Sequence, residues 1–207
     1  MNNVVSLLKK IDAVVTNDHF VYTSGKHGSV YIRKDKLYPH TKETSEVCMF
    51  FAQKCKDFAI DVVVGPSIGG IILSQWIAFH LSNLKQKEIL GVFTEKDENS
   101  NQVFKREYDL LVKNKNVLIV EDLTTTGGSV KKVVDSVRAA GGNVVLVCVM
   151  VNRDPNKVNE HTITAPFLSL GIIPAEAFDA NRCPLCKQNV PINTKIGHGK
   201  KFLHNKK

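Results

Sequence analysis

The chain has no apolar run long enough to span a membrane; its longest, Val144 to Val151, is the length of a strand. The N-terminus has no basic segment followed by an apolar core and a cleavage site, so nothing there reads as a secretion signal. Internal repeats, low-complexity segments and a helix-turn-helix pattern are also missing. The five cysteines are odd in number and widely scattered, which argues against a disulfide framework and makes a reducing cytoplasm the expected compartment. Acid is absent from residues 195–207, where Lys195, Lys200, Lys201, Lys206 and Lys207 supply +5 of the net +8 and leave +3 for residues 1–194. A basic tail of this kind reads as solvated rather than as a nucleic-acid arm. The remaining excess suits polyanionic phosphate ligands. Neither a membrane nor a nucleic-acid partner is expected.

What is present is an alternation of strands and helices. Residues 2–15 show a helical face of Val4, Leu8, Ile11 and Val15, and Thr41 to Phe58 shows another (Val47, Phe50, Phe51, Cys55), with Thr41 as its cap. Cys48 and Cys55 read as small core residues. Between the two helices, residues 19–32 hold two short alternating segments around a Ser-Gly turn, the pattern of a hairpin. Buried strands are expected at Asp61–Val64, Ile89–Thr94, Val117–Val120, Val144–Val151 and Phe167–Ile173, and a helix from about Ile71 to Leu81. The polar run Glu95–Gln102 has no periodicity and reads as an exposed, mobile loop. The fold class is therefore α/β, with a mainly parallel sheet flanked by helices and a small hood.

The chain is organised around Val117–Val130, where an apolar strand is followed by Glu121 and Asp122. Then come Thr124, Thr125, Thr126, Gly127, Gly128 and Ser129, and a helix with Val130, Val133, Val134 and Val137 on one face. Glycines that admit a close approach, together with free amides at a helix N-terminus, form an anion site. Two adjacent carboxylates repel each other and have no use in a merely structural turn, but they can accept hydrogen bonds from sugar hydroxyls. A second glycine-rich strand-to-helix turn, Gly65-Pro66-Ser67-Ile68-Gly69-Gly70, precedes it by about 55 residues.

The strand, acid pair and Thr/Gly loop resemble the phosphoribosyl-pyrophosphate (PRPP) signature of the type I phosphoribosyltransferases. The string Thr23-Ser24-Gly25-Lys26-His27, with Tyr31 beyond it, resembles the hood of orotate phosphoribosyltransferases. The resemblance covers about residues 15–173. It implies one phosphoribosyltransferase unit over residues 1–207, with a hood from about 15–40 and part of 174–207 over a core of about 41–173. It further implies transfer of phosphoribose from PRPP to a nucleobase, orotate first, with release of pyrophosphate. A purine-salvage enzyme and a PRPP-sensing regulator without catalysis are the alternatives.

By the same resemblance Thr125, Thr126, Gly127, Gly128 and Ser129 hold the 5-phosphate, and Glu121 and Asp122 the ribose hydroxyls. Ser67, Ile68, Gly69 and Gly70 form the pyrophosphate loop, although relatives often have a lysine at the position of Gly69. Lys26, Tyr31, Thr125 and Arg153 approach the base, and Lys96 and Asp122 are catalytic. Lys96 is the one cation of the family's basic loop at a matching position, with Lys105 and Arg106 further along. Magnesium is expected to be carried by PRPP rather than by protein ligands, and the chain is expected to form a homodimer.

The C-terminal stretch stands outside this resemblance. Cys183, Cys186, His198 and His204 have the spacing C-x2-C-x11-H-x5-H, close to that of a zinc finger, but Pro191, Gly197 and Gly199 break the helix that such histidines need. Two packed, reduced cysteines are the favoured reading, and zinc on these four residues is the alternative.

Overall fold

Val62–Val64, Val117–Val120 and Leu146–Val151 are almost wholly excluded from solvent, and strands so apolar on both faces need a helical layer on each side. The computed structural model, which describes residues 3–204, supplies those layers. The helices are α1 (Val4–Lys10), α2 (Thr41–Cys55), α3 (Gly69–Lys85), α4 (Tyr108–Val112), α5 (Gly128–Ala139), α6 (Glu160–Ile163), α7 (Pro184–Lys187) and α8 (Gly199–His204). The strands are β1 (Val14–Val15), β2 (Phe20–Val21), β3 (His27–Gly28), β4 (Tyr31–Ile32), β5 (Val62–Pro66), β6 (Leu90–Lys96), β7 (Gln102–Val103), β8 (Asn116–Thr124), β9 (Asn143–Asn152) and β10 (Phe167–Ile172).

Six strands form one sheet in the order β10-β9-β8-β5-β6-β7, parallel except for β7, which runs antiparallel to β6. Alternate residues divide the core. Val63, Leu118 and Val120 face Val47, Phe51, Leu73 and Ile77 of α2 and α3. Val62, Val64, Val117 and Ile119 face Val130, Val133, Val134 and Val137 of α5. The chain moves from β5 to β6 on one side and from β8 to β9 and β10 on the other, so the strand order reverses between β5 and β8. In an open parallel sheet that reversal opens a crevice at the C-terminal strand ends, and both glycine-rich turns emerge there.

Two small antiparallel pairs, β1–β4 and β2–β3, stand apart from the large sheet, in the stretch expected to form the hood. The C-terminal segment returns across them. His27 and Phe178 exchange backbone hydrogen bonds at 2.8 Å, His198 N–H donates to the Val21 carbonyl, and Asn193 N–H to that of His19.

Several boundaries differ from the sequence expectation. The first helix ends at Lys10 because Asp12 takes a left-handed φ of 53° and Val14–Val15 join Tyr31–Ile32 as a strand. Residue 2 lies outside the described residues. Thr41 is inside α2; His40 is the cap residue and makes no side-chain capping bond. Glu95–Gln102 is a hairpin in which Lys96 faces Gln102, closed by Asp97, whose carboxylate and backbone bind Asn101.

The turn after β5 leaves no room for a side chain. A Cβ on Gly65 would lie 2.2 Å from the Gly70 carbonyl oxygen and 2.6 Å from its carbon, both backbone atoms. Gly65→Ala is therefore expected to lower the urea midpoint by the equivalent of about 1–3 kcal/mol. A midpoint equal to that of wild type would contradict this close packing.

Candidate active site

The acid pair does not lie beyond the strand, as its position after Val120 suggests, but inside it: β8 continues to Thr124, and Asp122 is 1% exposed. A carboxylate so placed needs donors, and three groups provide them. Lys34 Nζ lies 3.0 and 2.8 Å from the two Asp122 oxygens, Tyr38 Oη donates to Oδ2 at 2.8 Å, and Leu123 N–H donates to Oδ1 at 2.7 Å. Burial and the Asp122 charge push the Tyr38 phenol far up, so it stays protonated and donates. Burial acts to lower the Lys34 ammonium, but the Asp122 charge and hydrogen bond outweigh it and the net direction is upward. Sequence reasoning missed both partners, because they stand 88 and 84 residues away from Asp122.

The two glycine-rich turns meet at this carboxylate. A Cβ on Gly69 would fall 2.1 Å from Asp122 Oδ2 and 2.3 Å from Tyr38 Oη, so only glycine allows the approach. Ser67 N–H is committed to the Thr94 carbonyl at 2.8 Å, which leaves the amides of Ile68, Gly69 and Gly70 at the start of α3. The Ser67–Ile68 peptide is cis. After β8, Gly127 takes φ 75° with its N–H on Thr124 Oγ1, and α5 begins at Gly128. Thr126, Gly128 and Ser129 are exposed at the mouth of this turn, and Thr125 is half-buried.

Next to the turn is a cleft of about 580 Å³ lined by Tyr22, Lys26, Thr125, Thr126, Arg153 and the backbone around Phe178, among others. The Arg153 guanidinium lies over the Tyr22 ring, 4.5 Å from its centroid. Its Nε and Nη2 are buried and have no hydrogen-bond partner among the described residues. An Arg153–Asp154 ion pair does not form, because Asp154 is held by Lys157. Lys26 lies 3.6 Å from Asp179 across the rim. Tyr31 stacks on Tyr22 at 6.3 Å and borders a smaller adjoining hollow that shares Tyr22, Thr23 and Arg153 with the cleft. Tyr22, not Tyr31, is thus the aromatic beneath the guanidinium, and its strand-like surroundings gave no signal of that.

Lys96 is exposed on the β6–β7 hairpin and is not among the residues lining the cleft. Lys105 and Arg106 are engaged by Glu95. The finger-like set of Cys183, Cys186, His198 and His204 is not assembled. Gly197, with φ 76°, turns the chain so that His198 bonds Thr23 instead, and His204 sits exposed on α8.

Glu121 accepts from the Asp122 N–H at 2.9 Å and is 7% exposed. Burial first, and the Asp122 charge second, push its carboxyl up to about 8. The folded value lies above the ordinary one of about 4.3. The stability conferred by this proton is therefore complete below about pH 4 and is lost as pH rises through the folded value. Glu121→Gln is neutral throughout, so its melting temperature relative to wild type should climb between about pH 5 and about pH 8. A difference that stays constant across that range would show that Glu121 is ionised in the folded protein.

Residues 34–165 match the phosphoribosyl transferase domain model. The chain is 34% identical to the orotate phosphoribosyltransferase of Caldanaerobacter subterraneus subsp. tengcongensis, over 91% of this chain and 93% of that relative. It is 36% identical to the orotate phosphoribosyltransferase of Thermoanaerobacter sp., over the same shares, 91% and 93%. Among solved structures, Mycobacterium tuberculosis orotate phosphoribosyltransferase with inorganic phosphate superposes with a TM-score of 0.63 at 20% identity, covering 82% of this chain and 95% of that one. The same enzyme in complex with PRPP gives 0.61 at 19% identity, covering 82% and 93%. No helix among the described residues is long and apolar enough to cross a membrane. The chain belongs to the phosphoribosyl transferase family, and its similarity to orotate phosphoribosyltransferases runs over nine-tenths of its length.

Proposed function

We propose that this phosphoribosyltransferase moves the 5-phosphoribosyl group of PRPP onto a ring nitrogen of orotate, forming orotidine 5'-phosphate. The bond from the ribose anomeric carbon to pyrophosphate breaks, a carbon–nitrogen bond forms, and positive charge builds on the ribose ring between the two events. Arg153 carries the choice of base. A planar guanidinium seated over the Tyr22 ring, with two buried nitrogens unpaired among the described residues, suits the edge of a planar anion. Orotate is such an anion, and neutral purines are not. Thr125 to Ser129 hold the 5-phosphate, and Glu121 and Asp122 face the ribose. The amides at the start of α3 receive the departing pyrophosphate, and Lys26 and Tyr31 border the base. The hood and the sheet act as one unit, in a homodimer.

Magnesium fits here as a companion of PRPP, for which it neutralises pyrophosphate charge when bound. The donor set supports that assignment, since Asp122 is already bonded to Lys34, Tyr38 and the Leu123 amide. Catalysis by the chain itself is then mostly positioning and electrostatics.

The decisive experiment scores pyrophosphate release from PRPP and magnesium with orotate, uracil, adenine, hypoxanthine and guanine. Orotate alone is expected to support turnover. Release with a purine instead would make this a salvage enzyme, and tight PRPP binding without release from any base would make it a regulator. Arg153→Ala is expected to remove about 1.5–3 kcal/mol of base interaction, seen as a roughly 10–100-fold rise in KM for orotate. The KM for PRPP should barely move. Parallel rises in both constants would take Arg153 away from the base.

Lys96 acts from the hairpin. It lies two residues beyond Thr94, whose carbonyl holds the Ser67 amide, so its strand leads from the pyrophosphate loop. Lys96→Ala is expected to lower kcat by roughly 100-fold, with PRPP affinity nearly unchanged. Full activity in this variant would exclude Lys96 from the reaction.

A further inference from the structure

His19, His27, Cys183 and Cys186 come from two distant parts of the chain and converge on one point. One ligand atom from each lies within 4.8 Å of all the others. We propose that these four residues form a structural zinc site that fastens the C-terminal segment to the hood.

The spacing fits a tetrahedral ion. With zinc–nitrogen bonds of about 2.0–2.1 Å and zinc–sulfur bonds of about 2.3 Å, neighbouring ligand atoms stand roughly 3.3–3.8 Å apart. Cys183 Sγ and Cys186 Sγ each lie 3.7 Å from His19 Nε2, and Cys186 Sγ lies 3.3 Å from His27 Nδ1. The two ring nitrogens are 2.8 Å apart, somewhat closer than zinc needs, and a small outward movement of either ring admits the ion.

The protonation pattern fits as well. His19 Nδ1 lies 2.8 Å from the Val190 carbonyl, which can only accept, so Nδ1 carries the proton and Nε2 presents a lone pair to the cluster. A second partner that fixes the tautomer in this way is the usual support of a metal-bound histidine. His19, His27 and Cys183 are at most 1% exposed and Cys186 is half-buried, so the site is largely shielded from water. Four protein ligands leave no open position, which marks a structural rather than a catalytic centre. Two thiolates with two imidazoles favour zinc over magnesium or calcium. Binding releases one proton from each thiol.

The site has a purpose in the hood. Strands β2 and β3 are two residues each, too short to be stable as an isolated hairpin. His19 immediately precedes β2 and His27 opens β3, so the ion clamps both arms of the hairpin. Between them lie Tyr22 and Lys26, which line the cleft. Cys183 and Cys186 flank the start of α7 in the segment whose Phe178 pairs with His27. The metal would thereby hold Tyr22 in place beneath Arg153.

The test is metal analysis by mass spectrometry on the untagged, full-length protein, purified under reducing conditions without chelator. About one zinc per chain is expected. Cys183→Ser/Cys186→Ser should lose that zinc, whereas His198→Ala/His204→Ala should keep it. If the cysteine variant does not fold, wild type is treated with a mercurial thiol reagent, and zinc release is followed with a coloured chelator. Release should then track modification of two thiols. Cobalt exchanged into wild type should show thiolate-to-metal charge transfer and the strong visible bands of a tetrahedral centre. Protein that contains no zinc and takes up none on addition would overturn the proposal, as would a Cys183–Cys186 disulfide or retention of zinc by the cysteine variant.

Discussion

The buried charge of Asp122 is the constraint around which the site is built. A carboxylate with almost no contact with water needs compensation by donors, and removing one partner of such a pair typically costs about 3–5 kcal/mol. Lys34 and Tyr38 answer that need from the turn between the hood and α2, and Gly69 comes close because it has no side chain to prevent it. One carboxylate therefore ties the segment before α2, the glycine-rich turn before α3 and β8 together. The strand reversal between β5 and β8 makes this possible, since it sets the two loops side by side.

The same saturation sets the two acids apart. Asp122 Oδ1 accepts from Lys34 and the Leu123 amide, and Oδ2 from Tyr38 and Lys34. Glu121 is less committed. One oxygen accepts the Asp122 amide, and the other has only Ser129 Oγ at 3.4 Å. With its proton held by burial, Glu121 can either donate or accept, whereas Asp122 is paired with Lys34. The two adjacent acids thus differ because Lys34 pairs directly with Asp122 and acts on Glu121 only through its charge at a distance.

What the sequence disclosed and what it hid follow from the range of the interactions involved. The strands Val62–Val64, Val117–Val120 and Val144–Val151 were legible because burial on both faces leaves continuous apolar runs. The α5 face and the glycine turns are equally local patterns. Lys34 was invisible: within Arg33-Lys34-Asp35-Lys36 it looks like any solvated charge, and its partner lies across the fold. The first helix was overextended because the pairing of Val14–Val15 with Tyr31–Ile32 outweighs a helical periodicity that continues past Lys10. Cys183 and Cys186 were noticed as a pair, but spacing pointed to histidines downstream. The histidines that meet them are in the hood, 164 residues from Cys183 in the case of His19.

Position 69 brings these threads together. A lysine there would bring a cation to the glycine-rich turn, but its Cβ would collide with Asp122 Oδ2 and Tyr38 Oη. The chain instead has a half-buried cation, Lys34, which offsets the Asp122 charge. The loop is left with backbone dipoles, which bind an anion through direction rather than net charge. On the neighbouring hairpin Lys105 and Arg106 are already engaged by Glu95, whereas Lys96 is exposed one strand position beyond it.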